Sequence, residues 1–155
     1  MSFKDQSWEK RFGAMGDEAE GHFEQYATET LKLGFVRYGL DRPPIQMHRL
    51  PKHLCYTPDY LMSGCMVEVQ GVGRDQQVKV KHDKLNSLRW WNDFQRPGFD
   101  GVCFYVWDSH KKRECMFHLS VFDKLLGQGK GQLDAFAEGK PYMYWAADDV
   151  FAEAA

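Results

Sequence analysis

The first long apolar pattern in the chain has the period of an α-helix. Between Gly16 and Gly34, apolar or small side chains recur at intervals of three and four residues, which places them on one helix face. Glycine commonly follows the last turn of a helix, so we expect this amphipathic helix to end near Gly34. The positions on its apolar face are Ala19, Phe23, Tyr26, Ala27, Thr30 and Leu31.

A pattern of period two follows in residues 65–70, where apolar side chains at every second position alternate with a set that includes Glu68 and Gln70. This alternation predicts a strand with one buried face. The dipeptide Ser63-Gly64 before it fits a two-residue hairpin turn. A hairpin closed by this turn would pair Met62 with Cys65, Leu61 with Met66 and Asp59 with Glu68.

Shorter patterns predict the remaining elements. We expect a chain break at 41–44, short extended segments at 45–49 and 55–62, and a loop or irregular hairpin at 71–77. A helix is predicted over 81–94, with Leu85, Leu88, Trp90 and Trp91 toward the core, and strands over 102–107 and 114–122. A flexible connector at 127–131, a short helix at 132–138 and a strand at 142–145 complete the prediction. This order indicates an α/β or α+β fold with a central mixed sheet flanked by helices.

Composition narrows the classes of protein. A chain of 155 residues has room for one domain, and 43% hydrophobic with 27% charged residues excludes a disordered chain or a coiled coil. The formal net charge is −2, so contact with nucleic acid would require a local basic patch. The N-terminus is polar and no apolar run approaches the ~18 residues that a membrane span needs. We therefore expect a soluble, cytoplasmic protein without a membrane partner.

Cysteine spacing gives no sign of a metal knuckle or a redox motif. The four thiols are separated by at least ten positions along the chain, so we expect free, mostly buried cysteines. They are Cys55, Cys65, Cys103 and Cys115.

The predicted hairpin brings two acids side by side. Like charges directly opposite each other destabilise a sheet, so Asp59 and Glu68 require either open solvent or a cation between them. With Gln70 two residues after Glu68, the group offers hard oxygen atoms suited to Mg²⁺, which accepts one or two carboxylates and keeps several waters. The alternative is an exposed acidic pair on an edge hairpin.

These residues resemble a known signature. Pro58-Asp59, eight intervening residues and Glu68-Val69-Gln70 look like the motif of the PD-(D/E)XK nuclease superfamily, with glutamine where lysine is most common. The glycine- and glutamate-containing helix before the motif, and the helix and strand after it, are similar to those of small Holliday-junction resolvases. The resemblance covers about residues 16–122, which implies a restriction-endonuclease-like core with a C-terminal extension at 123–155.

The resemblance implies a metal-dependent DNA endonuclease with Mg²⁺ or Mn²⁺ held by Asp59 and Glu68. Gln70 can orient water but cannot accept a proton at neutral pH, so the catalytic lysine is expected on a neighbouring element, at Lys81 or Lys79. Junction resolution, restriction, repair or phage replication are all compatible with this activity. The alternatives are a nuclease-fold DNA-binding module that has lost catalysis and an unrelated α+β interaction protein.

Further residues could support such a site. On the first helix, Glu20 and Glu24 border the apolar stripe, so they either flank the metal site or form an ordinary charged helix border. A phosphate-binding role competes with simple solvation for the basic residues Lys79, Lys81, Lys84, Arg89, Lys111, Lys112 and Arg113. Because a chain of this size has few surfaces beyond the core, we expect a homodimer when two strands are cut.

Overall fold

The computed structural model describes residues 8–39, 55–94 and 100–155, with the side chains of the first helix described from Gly13 onward. The predicted chain break at 41–44 and the extended segment at 45–49 lie outside these residues. Within the described parts, eight strands form two sheets. They are β1 (Phe35–Arg37), β2 (Tyr60–Met62), β3 (Cys65–Gly71), β4 (Gln77–Lys81), β5 (Val102–Asp108), β6 (Arg113–His118), β7 (Gln132–Ala135) and β8 (Pro141–Ala146).

Helix α1 (Trp8–Gln25) continues into a π-helical segment, Tyr26–Leu31. It begins well before Gly16, the predicted start, and ends at Lys32, whose left-handed φ of 54° stops the helix two residues before Gly34. The predicted apolar face is confirmed at Ala19, Phe23 and Ala27, which are fully buried, whereas Thr30 is exposed.

The larger sheet has the strand order β1-β2-β3-β5-β6 and contains both antiparallel and parallel pairs. The predicted β2–β3 hairpin is confirmed with its register, which pairs Met62 with Cys65 and Leu61 with Met66. The prediction that β3 has only one buried face was wrong, because side chains on both of its faces are buried. Because β3 runs parallel to β5 at the centre of the sheet, it is covered on both sides, and Glu68 is as inaccessible as Val67.

Two apolar clusters fill the two sides of this sheet. Helix α1 packs Ala19 and Phe23 against Tyr60, Val67 and neighbours on one side. The other side is covered by α2 (His82–Asp93), α3 (Ser120–Gly127) and α4 (Ala147–Ala154), and by the second sheet, of order β4-β8-β7. The architecture is therefore α+β, with a mixed five-stranded sheet between helices, as the sequence predicted.

Several elements differ from the prediction because tertiary contacts decide them. Residues 119–122 begin helix α3 instead of extending a strand, since Phe122 and Leu125 are buried against Trp145 and Phe104 at helical spacing. The helix predicted at 132–138 is strand β7, which pairs with β8. Strand β4 and helix α4 were not predicted, and Lys81 ends β4 instead of opening α2.

Two predictions about individual side chains also need correction. Trp91 is buried, but Trp90 is 41% exposed and stacks on Phe94 with ring centroids 5.0 Å apart. The four cysteines are free, as expected, yet only Cys65 is buried and the other three are intermediate.

Candidate functional site

Asp59 and Glu68 lie just beyond the paired residues of the β2–β3 hairpin, at the end away from its turn. Asp59 directly precedes β2, and continuing the observed register places it opposite Glu68. The backbone N–H of Val69 donates to Asp59 Oδ2 at 2.8 Å, and the Asp59 carbonyl accepts N–H groups of Tyr38 at 2.8 Å and Gly39 at 3.1 Å. These bonds hold Asp59 in place from both its backbone and its side chain.

Glu68 is completely buried and forms an ion pair with a lysine from another element. Lys84, on the first turn of α2, places its Nζ on Glu68 Oε1, while its own side chain remains 25% exposed. Asp59 and Lys84 both line a polar cleft of about 140 Å³, together with Glu20 and Arg37. The cleft is therefore lined by charged residues from α1, from β1, from the residue before β2 and from α2.

Electrostatics couple the three groups. Burial, and then the negative charge of Asp59, raise the pKa of Glu68 well above its usual value, against the opposing effect of Lys84. For Lys84, burial alone would lower the pKa, but Glu68 and Asp59 outweigh it and raise the pKa above the ordinary value. Glu68 and Asp59 therefore favour the protonated, hydrogen-bond-donating form of Lys84.

A second set of polar contacts ties α1 to this hairpin. Arg37 pairs with Glu20 and donates to the Tyr60 hydroxyl at 3.1 Å, and that hydroxyl donates to Glu24 Oε1 at 2.8 Å. Burial raises the pKa of Glu20 despite the Arg37 partner. Glu20 thus borders the cleft, whereas Glu24 acts through Tyr60.

Gln70 and Lys79 do not line the cleft that contains Asp59 and Lys84. The Gln70 side-chain amide donates to the Gly71 carbonyl at 3.2 Å, and both Gln70 and Lys79 line a separate cleft of about 490 Å³. Lys79 forms an ion pair with Asp75. Lys81 is half-buried, and burial, followed by the charges of Lys140 and Lys84, lowers its pKa. Neither Lys79 nor Lys81, the two lysines predicted for catalysis, is among the residues that line the cleft of Asp59; Lys84 lines it and contacts Glu68 directly.

The other basic candidates contact acidic or aromatic side chains. Arg89 pairs with Asp123 at 2.6 Å, and Lys112 lies over the Trp107 ring at 5.9 Å. Lys111 and Arg113 both reach Asp148 on α4, at 2.7 and 2.5 Å, and Arg113 also binds the buried Asp108 at 3.1 Å. Three of these basic side chains therefore support packing between elements, with Lys111 and Arg113 joining the turn after β5 to α4.

Sequence reasoning missed Arg37 and the site role of Lys84. Arg37 belongs to a three-residue strand that carries no apolar alternation, so no local pattern indicates that it faces Glu20. Lys84 was predicted only as a phosphate contact. Its i, i+4 relation to Leu88 on the buried face of α2 was the available signal that it points toward the sheet.

The donor set fits a divalent ion such as Mg²⁺. Glu68 Oε2 is buried and has no hydrogen-bond partner among the described residues, and Asp59 adds a second carboxylate beside it. No group of three or more histidine, cysteine or acidic side chains forms a metal site in the described parts of the chain. Mg²⁺ is commonly held by one or two carboxylates, with waters and substrate phosphate as its other ligands, so two carboxylates are sufficient.

Comparison with known proteins bears on the fold. No known protein family and no curated protein matches this sequence. A solved nuclease from a fusselovirus is similar in structure, with a TM-score of 0.54 and 8% sequence identity over 96% of this chain and 94% of that chain. None of the helices in the described residues has the length and hydropathy of a membrane span. The chain is therefore similar in fold to a viral nuclease over nearly its whole length.

Proposed function

We propose that this protein is a metal-dependent endonuclease that hydrolyses phosphodiester bonds of DNA. The observation that carries the proposal is the fully buried Glu68, in register with Asp59 and ion-paired with Lys84. A buried carboxylate beside a second acid is costly for folding, so its position directly behind Asp59 and Lys84, which line an open cleft, indicates a chemical role. The similarity in fold to a viral nuclease supports hydrolysis of nucleic acid as that role.

Asp59 and Glu68 would hold Mg²⁺ or Mn²⁺ in this proposal. When bound, such an ion supplies Lewis-acid stabilisation of charge on the phosphate and favours ionisation of water. The protein contributes a fixed donor set. The N–H of Val69 orients the Asp59 carboxylate, and complete burial restricts the Glu68 carboxylate to one direction.

Lys84 takes the position that the glutamine at residue 70 leaves open. Through its ammonium group in contact with Glu68, it can donate hydrogen bonds to a water or to a phosphate oxygen and stabilise developing negative charge. Because its Nζ already contacts Glu68, the proton released by water would go to solvent or to substrate. We therefore assign the relocated lysine to Lys84, with Lys81 beside it as a second cation.

Arg37 and Glu20 act as positioning residues. Their ion pair compensates the charge of Glu20 at the cleft wall, so that the excess negative charge is concentrated on Asp59 and Glu68. The hydrogen bonds through Tyr60 fix α1 against β2, which keeps this wall in register with the acids.

A cleavage assay tests the proposal. Plasmid, linear duplex, single-stranded and four-way-junction DNA are incubated with Mg²⁺ or Mn²⁺ and with the wild type, Asp59→Asn, Glu68→Gln, Lys84→Met or Lys81→Met. We expect metal-dependent cutting that falls at least about 100-fold in the first three variants and less in Lys81→Met, since one transition-state contact is worth roughly 10²–10³ in rate. Lys124→Met, which removes an exposed cation on α3, is the matched control and should cut normally.

The outcomes separate the candidate functions. No metal-dependent cutting of any substrate by the wild type contradicts the enzyme, and retained DNA binding would then favour the module without catalysis. Loss of both would favour an unrelated interaction protein. Equal loss in Lys81→Met and Lys84→Met would contradict the assignment to Lys84 alone.

We also propose that two copies act together on DNA. Each chain would contribute one Asp59–Glu68 site, so two copies would supply the two sites that paired cuts, including those that resolve a junction, use. Light scattering of the protein with junction DNA would show a complex of two chains, and a complex of one chain would contradict the homodimer.

A further inference from the structure

We propose that Arg37, together with Lys84, contacts the phosphate at which the DNA strand is cut. This inference rests on the proposed nuclease function and adds a contact with substrate to the positioning role of Arg37. Arg37 is the last residue of β1, and its side chain is 43% exposed. It lines the same cleft as Asp59 and Lys84.

The backbone at Arg37 is fixed next to Asp59. Arg37 lies opposite Tyr60 in the antiparallel β1–β2 pair, and Tyr60 directly follows Asp59. The next two N–H groups of the segment, those of Tyr38 and Gly39, both donate to the Asp59 carbonyl. Groups that act on one reacting centre have to be held within about 0.5 Å of their productive positions. These backbone bonds give Arg37 and Asp59 a constant separation.

The guanidinium of Arg37 is only partly satisfied within the protein. Its Nη2 makes both internal contacts, the ion pair with Glu20 and the 3.1 Å hydrogen bond to the Tyr60 hydroxyl. An arginine side chain also carries N–H donors on Nη1 and Nε. In the described parts of the chain, no acceptor lies on either of these nitrogens. They are therefore available to the oxygens of a phosphate, which guanidinium groups bind well.

Arg37 and Lys84 reach the cleft from opposite faces of the larger sheet. Arg37 contacts Glu20 on α1, which covers one face. Lys84 lies on α2, which covers the other face, and it contacts Glu68. Because both cations line the cleft with Asp59, an anion beside Asp59 would be contacted from two sides.

The size and charge of the cleft fit a phosphate group. Its volume of about 140 Å³ is below the roughly 300–1,000 Å³ of sites that enclose a drug-sized ligand, so it suits a small group better than a nucleoside. A divalent ion on Asp59 and Glu68, as in the proposed function, would offset their negative charges. Arg37 and Lys84 would then face Glu20 alone, since the other lining residues carry no charge. One phosphodiester anion balances the positive charge that remains.

Nuclear magnetic resonance of the wild-type protein tests the contact directly. The side-chain Nε–H signal of Arg37, assigned by its absence in Arg37→Lys, is followed during titration with dimethyl phosphate in Mg²⁺. We expect a saturable shift with this anionic diester and none with trimethyl phosphate, a neutral triester of similar size. The Nε–H signal of Arg89, which pairs with Asp123 outside the cleft, is the internal control and should not move.

Cleavage kinetics distinguish contact with substrate from positioning. Arg37→Gln should lower kcat/KM about 100-fold, since one transition-state contact is worth roughly 10²–10³ in rate, and Arg37→Lys should recover part of the loss because it keeps the positive charge. Tyr60→Phe removes the hydroxyl that links Arg37 to Glu24 but leaves the guanidinium, so it should cost less than about tenfold. Arg89→Gln, the matched control, should cut normally.

The two measurements separate this inference from the proposed function. If the wild type cuts DNA, the absence of a saturable Arg37 shift, or equal losses in Tyr60→Phe and Arg37→Gln, would overturn the phosphate contact and leave the nuclease proposal intact. A shifted Arg37 signal in a wild type that cuts no DNA would overturn the nuclease while the anion site at Arg37 would stand. The absence of both the shift and the cutting would overturn both.

Discussion

Replacing Lys84 by methionine should destabilise the protein because it leaves the Glu68 carboxylate buried without its cation. Glu68 is fully buried, and the Lys84 side chain is 25% exposed. Removing one partner of a buried pair costs about 3–5 kcal/mol, and the partial exposure of Lys84 favours the lower end, about 3 kcal/mol. For a chain of this length, that corresponds to a fall of roughly 6–12 °C in the melting temperature.

The loss should depend on pH with a defined sign. In Lys84→Met, the pKa of Glu68 in the folded state lies further above its ordinary value of 4.5, because burial and Asp59 remain while the cation is gone. A raised folded-state pKa stabilises the folded protein below the ordinary value, and that contribution is lost as the pH rises through the folded-state pKa. The deficit relative to wild type should therefore shrink by up to about 1.4 kcal/mol per unit as the pH is lowered from 7 toward 5.

Urea denaturation in EDTA at pH 5, 6 and 7 measures this directly. Lys124→Met, which breaks the more exposed pair with Glu153, is the control and should cost no more than about 1 kcal/mol. The double variant Glu68→Met/Lys84→Met should recover most of the loss, since replacing both charges by apolar groups is often neutral or stabilising. A loss in Lys84→Met as small as that in Lys124→Met, with no dependence on pH, would refute the reasoning.

Two further predictions concern the metal and a second buried acid. Mg²⁺ at 100 times its dissociation constant should stabilise the wild type by about 2.7 kcal/mol and leave Asp59→Asn unchanged in a thermal-shift assay; an equal shift in both would contradict the assigned ligands. The pKa of Asp108 is lowered because hydrogen bonds from the Lys111 backbone, Gln76, Arg113 and the His110 backbone together outweigh the effect of burial. Asp108→Asn should therefore lower the free energy of unfolding by about 1.5–3 kcal/mol at pH 7. This difference from the wild type should disappear as the pH falls below the ordinary Asp pKa of 3.8 and through the folded-state pKa. A difference that does not change with pH in the acid range would contradict the prediction.

The local part of the site could be predicted because it depends on one turn. Ser63-Gly64 fixes the hairpin register, and the register alone places Asp59 opposite Glu68. The depth of Glu68 could not be predicted in the same way. It depends on β5 pairing in parallel beside β3, a contact between segments more than 30 residues apart.

The choice between Lys81 and Lys84 likewise depends on a contact between distant segments. Sequence spacing favoured Lys81 as the residue opening a helix, but pairing of β4 with β8 extends the strand through Lys81. The helix then begins one residue later, and its first turn brings Lys84 to Glu68. The β-forming residues of Tyr142–Trp145 predicted strand β8, but no sequence pattern near β8 indicated that it pairs with β4.

The β4–β8 pairing also bears on how the protein folds. Strand β4 is held in place by residues 142–146, which are more than 60 positions further along the chain, and α2 starts directly after β4. Closing a loop of that length carries an entropic cost before its contacts form, so contacts of this kind tend to form late and slow folding. A nascent chain that has completed the β2–β3 hairpin would still lack a fixed Lys84, so the Asp59–Glu68–Lys84 group would remain incomplete until β8 is synthesised and paired.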